Sequence, residues 1–168
     1  VDLSKFVEGS PEEKQAFVEK LGKAYEDVGF VTVVNHGITD ETIDGLYKNI
    51  KDFFGQSLEY KKAHEIVELA GQRGYTSFGR EHAKGSDAPD LKEFYQWGQT
   101  VTDNDPIKKY YPDNIPAQEN LTFNDAMLSI YSAFEKSGAY LLQAIAIYLD
   151  LDENYFDDKI HNGNSILR

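Results

Sequence analysis

Apolar residues recur along this chain at helical spacing in some stretches and in short runs in others, and together the two patterns predict most of its elements. Phe17, Leu21, Ala24, Tyr25 and Val28 fall at i, i+4, i+7, i+8 and i+11, which is one stripe of an amphipathic helix. Its start is marked by Ser10-Pro11-Glu12-Glu13. Ser10 can accept from free backbone amides, Pro11 suits the first helical position, and Glu13 closes a capping box. Gly29 is placed to end the helix in a left-handed turn. Phe30 to Val34 (FVTVV) is apolar and β-branched, which predicts a short buried strand, with Asn35-His36-Gly37 as its turn. Thr39 then offers a cap to a second helix whose stripe is Ile43, Leu46, Tyr47, Ile50, Phe53 and Phe54, stopped by Gly55. Ser57 is expected to cap a third helix that ends near Ala70.

From Gly71 to Pro116 the periodicity fails, and glycines, prolines, asparagines and aromatics alternate. This predicts a long irregular stretch with two short strands, near 75–78 and 94–101, and stretches of that kind are usually functional or mobile. Order returns between Asn120 and Leu149. There Met127, Ile130, Tyr131, Phe134, Leu141, Leu142, Ile145 and Tyr148 cover more than one face, so this helix is expected to be central and buried. Asp152 is placed to cap a short turn through Phe156, and Asn164 to Arg168 reads as a strand, as does Val1-Asp2-Leu3. A terminal strand needs a partner for its backbone groups, so both ends read as cut and the sheet is expected to draw on further sequence. The pattern as a whole is an α+β unit, rich in helix, with about five helices packed on a few strands.

Composition narrows the classes of function. A length of 168 residues is that of one ordinary domain, and 40% hydrophobic with 13% aromatic residues is enough to fold but too little for a membrane protein. The net charge of -12 repels phosphate backbones and anionic headgroups. Lys61-Lys62 and Lys108-Lys109 are isolated pairs and make no basic patch, so neither nucleic acid nor membrane is expected as a partner. The longest apolar stretch, Ala139 to Leu149, is broken by Gln143 and too short to span a bilayer. The absence of cysteine removes disulfides, thiolate catalysis and zinc–thiolate sites together, and agrees with a reducing, cytoplasmic location.

Candidate chemistry can be tested constellation by constellation. The four histidines are His36, His64, His82 and His161, and none has a carboxylate two positions later, so the His-x-Asp/Glu signature of a two-histidine, one-carboxylate iron site is absent and no metal ligand is expected. There is no Gly-x-Ser-x-Gly elbow, and Gly71, Gly74 and Gly79 do not make a phosphate-binding turn. Acidic pairs such as Asp157-Asp158 follow from the acidic composition, and no catalytic residue is assigned. One region does concentrate polar and aromatic groups: Gln72-Arg73-Gly74-Tyr75-Thr76-Ser77-Phe78 together with Phe94-Tyr95-Gln96-Trp97. A guanidinium beside phenols and a hydroxyl could anchor a small carboxylate substrate. The competing reading is a loop packed by its own aromatics, with Arg73 paired to a surface acid.

Taken in order, Val1-Asp2-Leu3-Ser4, Gly29-Phe30-Val31-Thr32-Val33-Val34-Asn35-His36-Gly37-Ile38, Phe53-Phe54, Gly74-Tyr75 and Asp90-Leu91-Lys92-Glu93 resemble the non-haem iron, 2-oxoglutarate-type oxygenases, most closely the isopenicillin N synthase-like group. Tyr111-Pro112 and Leu149-Asp150-Leu151 also look like that family's middle region, whereas Ser57-Leu58-Glu59 lacks the proline often found after the Phe-Phe pair. The resemblance implies that residues 1–168 are the helix-rich N-terminal portion. A jelly-roll (double-stranded β-helix) core carrying His-x-Asp, a distal His and Arg-x-Ser would then follow Arg168. It further implies Fe(II) and 2-oxoglutarate as cofactors of the complete protein, with none bound by this chain alone, and a small-molecule substrate. By the same resemblance, His36 is a turn residue and no ligand, and Arg73, Tyr75 and Ser77 match the place where some members contact substrate. The rival expectation is a non-catalytic ligand-binding or interaction module built on that fold.

Overall fold

In the computed structural model, which describes residues 1–168, the elements are α1 (Ser4–Val7), α2 (Pro11–Asp27), α3 (Asp40–Phe54), α4 (Leu58–Lys62), β1 (Gly74–Thr76), β2 (Phe94–Gly98), α5 (Leu121–Tyr148), α6 (Asp157–Ile160) and β3 (Ile166–Leu167). Single 3-10 turns occupy Val67–Leu69 and Pro106–Tyr110. The chain forms two compact units, one of Val1–Thr39 with Ser132–Gly163, the other of Asp40–Tyr131 with Asn164–Arg168.

The first unit is built on α2. The capping box expected from the sequence is present: the Glu13 amide donates to Ser10 Oγ at 3.3 Å and the Ser10 amide to Glu13 Oε2 at 2.9 Å. Gly29, at φ +82°, ends the helix in the left-handed region where a side chain would be strained. Of the predicted stripe, Phe17 and Leu21 are buried, together with Val18, against Leu3, Phe6 and Ala144, whereas Tyr25 and Val28 near the C-terminal end are exposed, and the ring of Tyr148 lies so close to Gly22 that any Cβ there would collide with it. Phe30–Val34 does not form the buried strand predicted for it. Phe30 is 84% exposed, and exposure alternates thereafter, with Val31 and Val33 packed on the core and Thr32 and Val34 facing out. The segment is extended but half-buried, because its backbone is paired only with the first residues: Leu3 N–H donates to the Val34 carbonyl (2.9 Å) and Val34 N–H to that of Val1 (2.8 Å), a single parallel bridge. Val1-Asp2-Leu3 is correspondingly not a strand but the lead into α1, a short helix that hydrophobic spacing does not reveal.

The second unit has an aromatic core. Phe53, on the inner stripe of α3, is fully buried, with ring centroids 4.9 Å from both Tyr95 and Phe123 and 5.7 Å from His64. Ser57 caps α4 as expected, accepting from the Tyr60 amide, but that helix stops at Lys62 instead of running to Ala70. The stop follows from His64, whose side chain turns into the core and is 1% exposed; Ala70, at φ +48°, then closes the 3-10 turn. The two strands expected in the irregular stretch are present. β1 pairs antiparallel with β2, Tyr75 opposite Tyr95, and β2 pairs antiparallel with β3, Trp97 opposite Leu167. Every residue of β1 and β2 is buried.

Helix α5 contributes to both units, Phe123, Met127 and Tyr131 in the aromatic core and Ala144 in the other. It is not buried on all sides, since Leu121, Leu128 and Phe134 are exposed. Asp152 does organise the following turn, accepting from the Asn154 amide at 2.9 Å. No helix is long and apolar enough to cross a membrane.

Candidate functional site

The sequence-predicted residues Arg73, Tyr75 and Ser77 lie on and beside β1 in the second unit, all of them buried. Their partners differ. Tyr75 donates its phenol proton to Glu93, which precedes β2, and Lys61 of α4 reaches the same carboxylate at 2.8 and 3.1 Å while donating to the Phe54 carbonyl at 3.2 Å. Burial, and then the Glu93 carboxylate, push the Tyr75 phenol above its ordinary value, so it stays a donor. Ser77 is held by Glu65, to which it donates from both its amide (3.1 Å) and its hydroxyl (3.0 Å), with Arg80 Nε on the same carboxylate at 3.2 Å. Burial raises the Glu65 carboxyl, but the Ser77 and Arg80 donors outweigh it and hold the group below its usual range.

Arg73 has no such partner. It is 1% exposed, yet its hydrogen bonds go to neutral oxygens: Nη1 to the Gln72 carbonyl at 2.8 Å and Nη2 to Gln99 Oε1 at 3.5 Å. Nε is buried and unpartnered. The pairing of Arg73 to a surface acid, part of the competing reading, is therefore not what the fold builds, although Tyr75, Tyr95 and Trp97 do pack together as that reading expects. Burial pulls the guanidinium below its ordinary value, with the phenols of Tyr131 and Tyr111 acting the other way. Its position is fixed by Gly98, the last residue of β2, where a Cβ would fall on the guanidinium itself. Gly98 is in turn clamped by Asn114, which accepts from its amide and donates to its carbonyl, both at 2.7 Å.

A cavity of about 340 Å³ opens in the same unit, within the size range of small-molecule sites. It is lined by apolar side chains of α3, β2, α5 and β3, Ile50, Phe54, Phe123 and Met127 among them, with Glu93 and Arg168 as its charged groups. Arg73, Tyr75 and Ser77 do not line it; Tyr75 reaches it only through Glu93.

Two of the four histidines, His64 and His36, serve the backbone. His64 Nδ1 lies 2.9 Å from the Tyr60 carbonyl and Nε2 accepts from the Gln118 amide at 2.8 Å, which makes the ring neutral with its proton on Nδ1. His36 Nδ1 accepts from the Ile38 amide at 3.2 Å within its turn, and its carbonyl accepts from Ser137 Oγ at 2.7 Å. No group of three or more His, Cys, Asp or Glu side chains is placed to hold a metal ion. Sequence reasoning missed Lys61, Glu93, His64 and Gln99. The Tyr60/His64 spacing of four, within the stretch read from the sequence as one helix, was the one available signal for a local contact; the others are joined to their partners only by tertiary pairing.

Comparison with known proteins places the chain with the iron and 2-oxoglutarate oxygenases, as the N-terminal portion of such an enzyme. The chain belongs to the family described as non-haem dioxygenase in morphine synthesis N-terminal, which matches residues 1–118. It is 30% identical over 182 aligned residues to a 2-oxoglutarate-Fe(II) type oxidoreductase, ppzD, of Metarhizium rileyi, covering all of this chain and 50% of that protein. It is also 30% identical to the proline hydroxylase buaE of Petromyces alliaceus, covering all of this chain and 53% of that protein. Among solved structures, a 2OG-Fe(II) oxygenase family protein from Caulobacter crescentus superposes with a TM-score of 0.86 at 31% identity, over 99% of this chain and 53% of that one. The chain thus spans about half the length of the curated relatives it matches.

Proposed function

We propose that residues 1–168 supply the scaffold and one wall of the substrate pocket in an Fe(II)- and 2-oxoglutarate-dependent oxygenase of the isopenicillin N synthase-like group, acting on a small organic substrate. The observation that carries this reading is Arg73, a cation buried without an anion. Taking a charge out of water costs several kcal/mol unless a counter-charge is supplied, and residues 1–168 supply none. In this reading Arg73 contacts an anionic group of the substrate, while Tyr75 and Ser77, pinned by Glu93 and Glu65, hold the wall that presents it.

Iron and 2-oxoglutarate belong to the complete protein. The residues present here do not fit an iron site, since no three potential ligands converge and both ring nitrogens of His64 are already engaged. The extended edge at Phe30–Val34 and the short β3 are where a jelly-roll core would add strands, because each presents backbone groups and exposed apolar side chains of strand character.

The test is turnover. The complete protein, supplied with Fe(II) and 2-oxoglutarate, is expected to form succinate and consume oxygen, and residues 1–168 alone are expected to do neither. Stoichiometric iron and oxygen consumption by the 168-residue chain would overturn the reading, and an iron-free, inactive complete protein would leave a non-catalytic module in its place.

A further inference from the structure

The polar groups on the wall of the cavity beside β2 already have partners. Glu93 accepts from Lys61 through both oxygens and from the Tyr75 phenol, and the Tyr95 hydroxyl donates to the Ile115 carbonyl. Arg168 reaches Glu81 at 3.1 Å, with its guanidinium 4.0 Å from the centroid of the Phe94 ring. The rest of the wall is apolar, from Leu46 and Ile50 on α3 to Met127 on α5 and Leu167 on β3. A polar molecule entering this space would give up its hydrogen bonds to water and find no unpartnered group to replace them. The wall therefore selects an uncharged, apolar occupant.

The sheet order shows where such an occupant can come from. In the order β1-β2-β3, β3 pairs with β2 alone, so its outer edge presents unpaired backbone groups. Leu167, the β3 residue opposite Trp97, also lines the cavity. A strand added at that edge lies about 4.8 Å away, and its residue opposite Leu167 points to the same face with its Cβ about 5 Å off. Any strand that satisfies the edge thus carries alternate side chains into the cavity. The relatives run to about twice the length of this chain, which is enough for such a strand. Resting on the reading that a core follows Arg168, we propose that the cavity is a socket for the polypeptide beyond that residue. An added strand pairs with the free edge of β3, and its residue opposite Leu167, with the next on the same face, is apolar and fills the space between Ile50, Phe123 and Met127. Seating also keeps water from Glu93, so the contact that joins the two parts of the protein strengthens the Lys61–Glu93–Tyr75 group.

Met127 is the only methionine in residues 1–168, and it lies on the cavity wall, so its methyl group is the reporter. The complete protein is labelled with carbon-13 in its methionine methyl groups, and the Met127 signal is assigned by its loss in Met127→Leu. Nuclear Overhauser contacts are expected from that methyl to apolar side chains beyond residue 168, with no shift on titration with toluene. Contacts confined to residues 1–168 overturn the proposal: with a saturable toluene shift the cavity is a site for a free apolar molecule, and without one it is closed by its own walls. Contacts found only between differently labelled copies overturn it in favour of a dimer seated through this face. Overfilling gives a second readout. Ile50→Trp is expected to raise the unfolding equilibrium constant of the complete protein at least about tenfold, because the space is already occupied, and an unchanged or lowered constant contradicts occupation. Turnover tests the oxygenase reading separately. Met127 contacts to later residues in a complete protein that turns over no 2-oxoglutarate keep the socket and remove the enzyme, and turnover with a toluene-accessible cavity does the reverse.

Discussion

Two cations are buried in the second unit, and the fold treats them in opposite ways. Lys61 lies between a carboxylate, Glu93, and a backbone carbonyl, and the same carboxylate takes the proton of Tyr75, so charge and hydrogen-bonding capacity are balanced inside residues 1–168. Arg73, equally buried and a few residues from Tyr75, is given two neutral oxygens and no carboxylate. The same short sheet therefore carries one closed electrostatic group and one open one. A closed group specifies the structure. An open one is tolerated where something else completes it, which is the physical basis for the proposal that Arg73 serves function and Lys61 structure.

The sharpest way to break this contrast is to open the closed group. Glu93→Ala strands Lys61 without its anion, and urea denaturation of the 168-residue chain is expected to show a loss of about 3–5 kcal/mol. A loss below about 1 kcal/mol would mean that Lys61 escapes to water and the group is not closed at all. Arg73→Met is expected to go the other way in the same assay, from neutral to about 1 kcal/mol stabilising, because a long apolar side chain removes an uncompensated charge from the interior. A large destabilisation by Arg73→Met would show that its charge is already balanced within residues 1–168. The smallest effect concerns Glu65. Its carboxyl is held below the usual glutamate range by Ser77 and Arg80, so it adds stability at pH above its unfolded value near 4.5, and that stability is lost as pH falls through the lowered folded value. Ser77→Ala is expected to flatten the acid limb of a stability–pH curve by lowering the neutral plateau while leaving stability at the acid end nearly in place, and an unchanged acid limb would remove Ser77 from that role.

How far the sequence led depended on whether an element's partners were local. The capping box at Ser10 and Glu13 and the Gly29 stop involve residues within a turn or two of each other and are present as read, as is the α3 stripe apart from Tyr47, which is exposed. Phe30–Val34 went wrong because β-branched composition cannot say whether both faces of a strand will be covered; here one face is packed and the other is open. The third helix ended early because His64 turned inward, toward Gln118 more than fifty positions away. The candidate site was legible as a neighbourhood but not as a mechanism. Arg73, Tyr75 and Ser77 do cluster around β1, yet the carboxylates that occupy Tyr75 and Ser77, and the amide of Gln99 that orients Arg73, come from 12 to 26 positions away.

The central claim is that the acceptor for Arg73 lies outside residues 1–168. A crystal structure of the complete protein tests it directly: a carboxylate oxygen, from a bound small molecule or from the remaining chain, is predicted within about 3 Å of Arg73 Nε. Finding Arg73 Nε facing only apolar atoms, backbone carbonyls or water in that structure would contradict it.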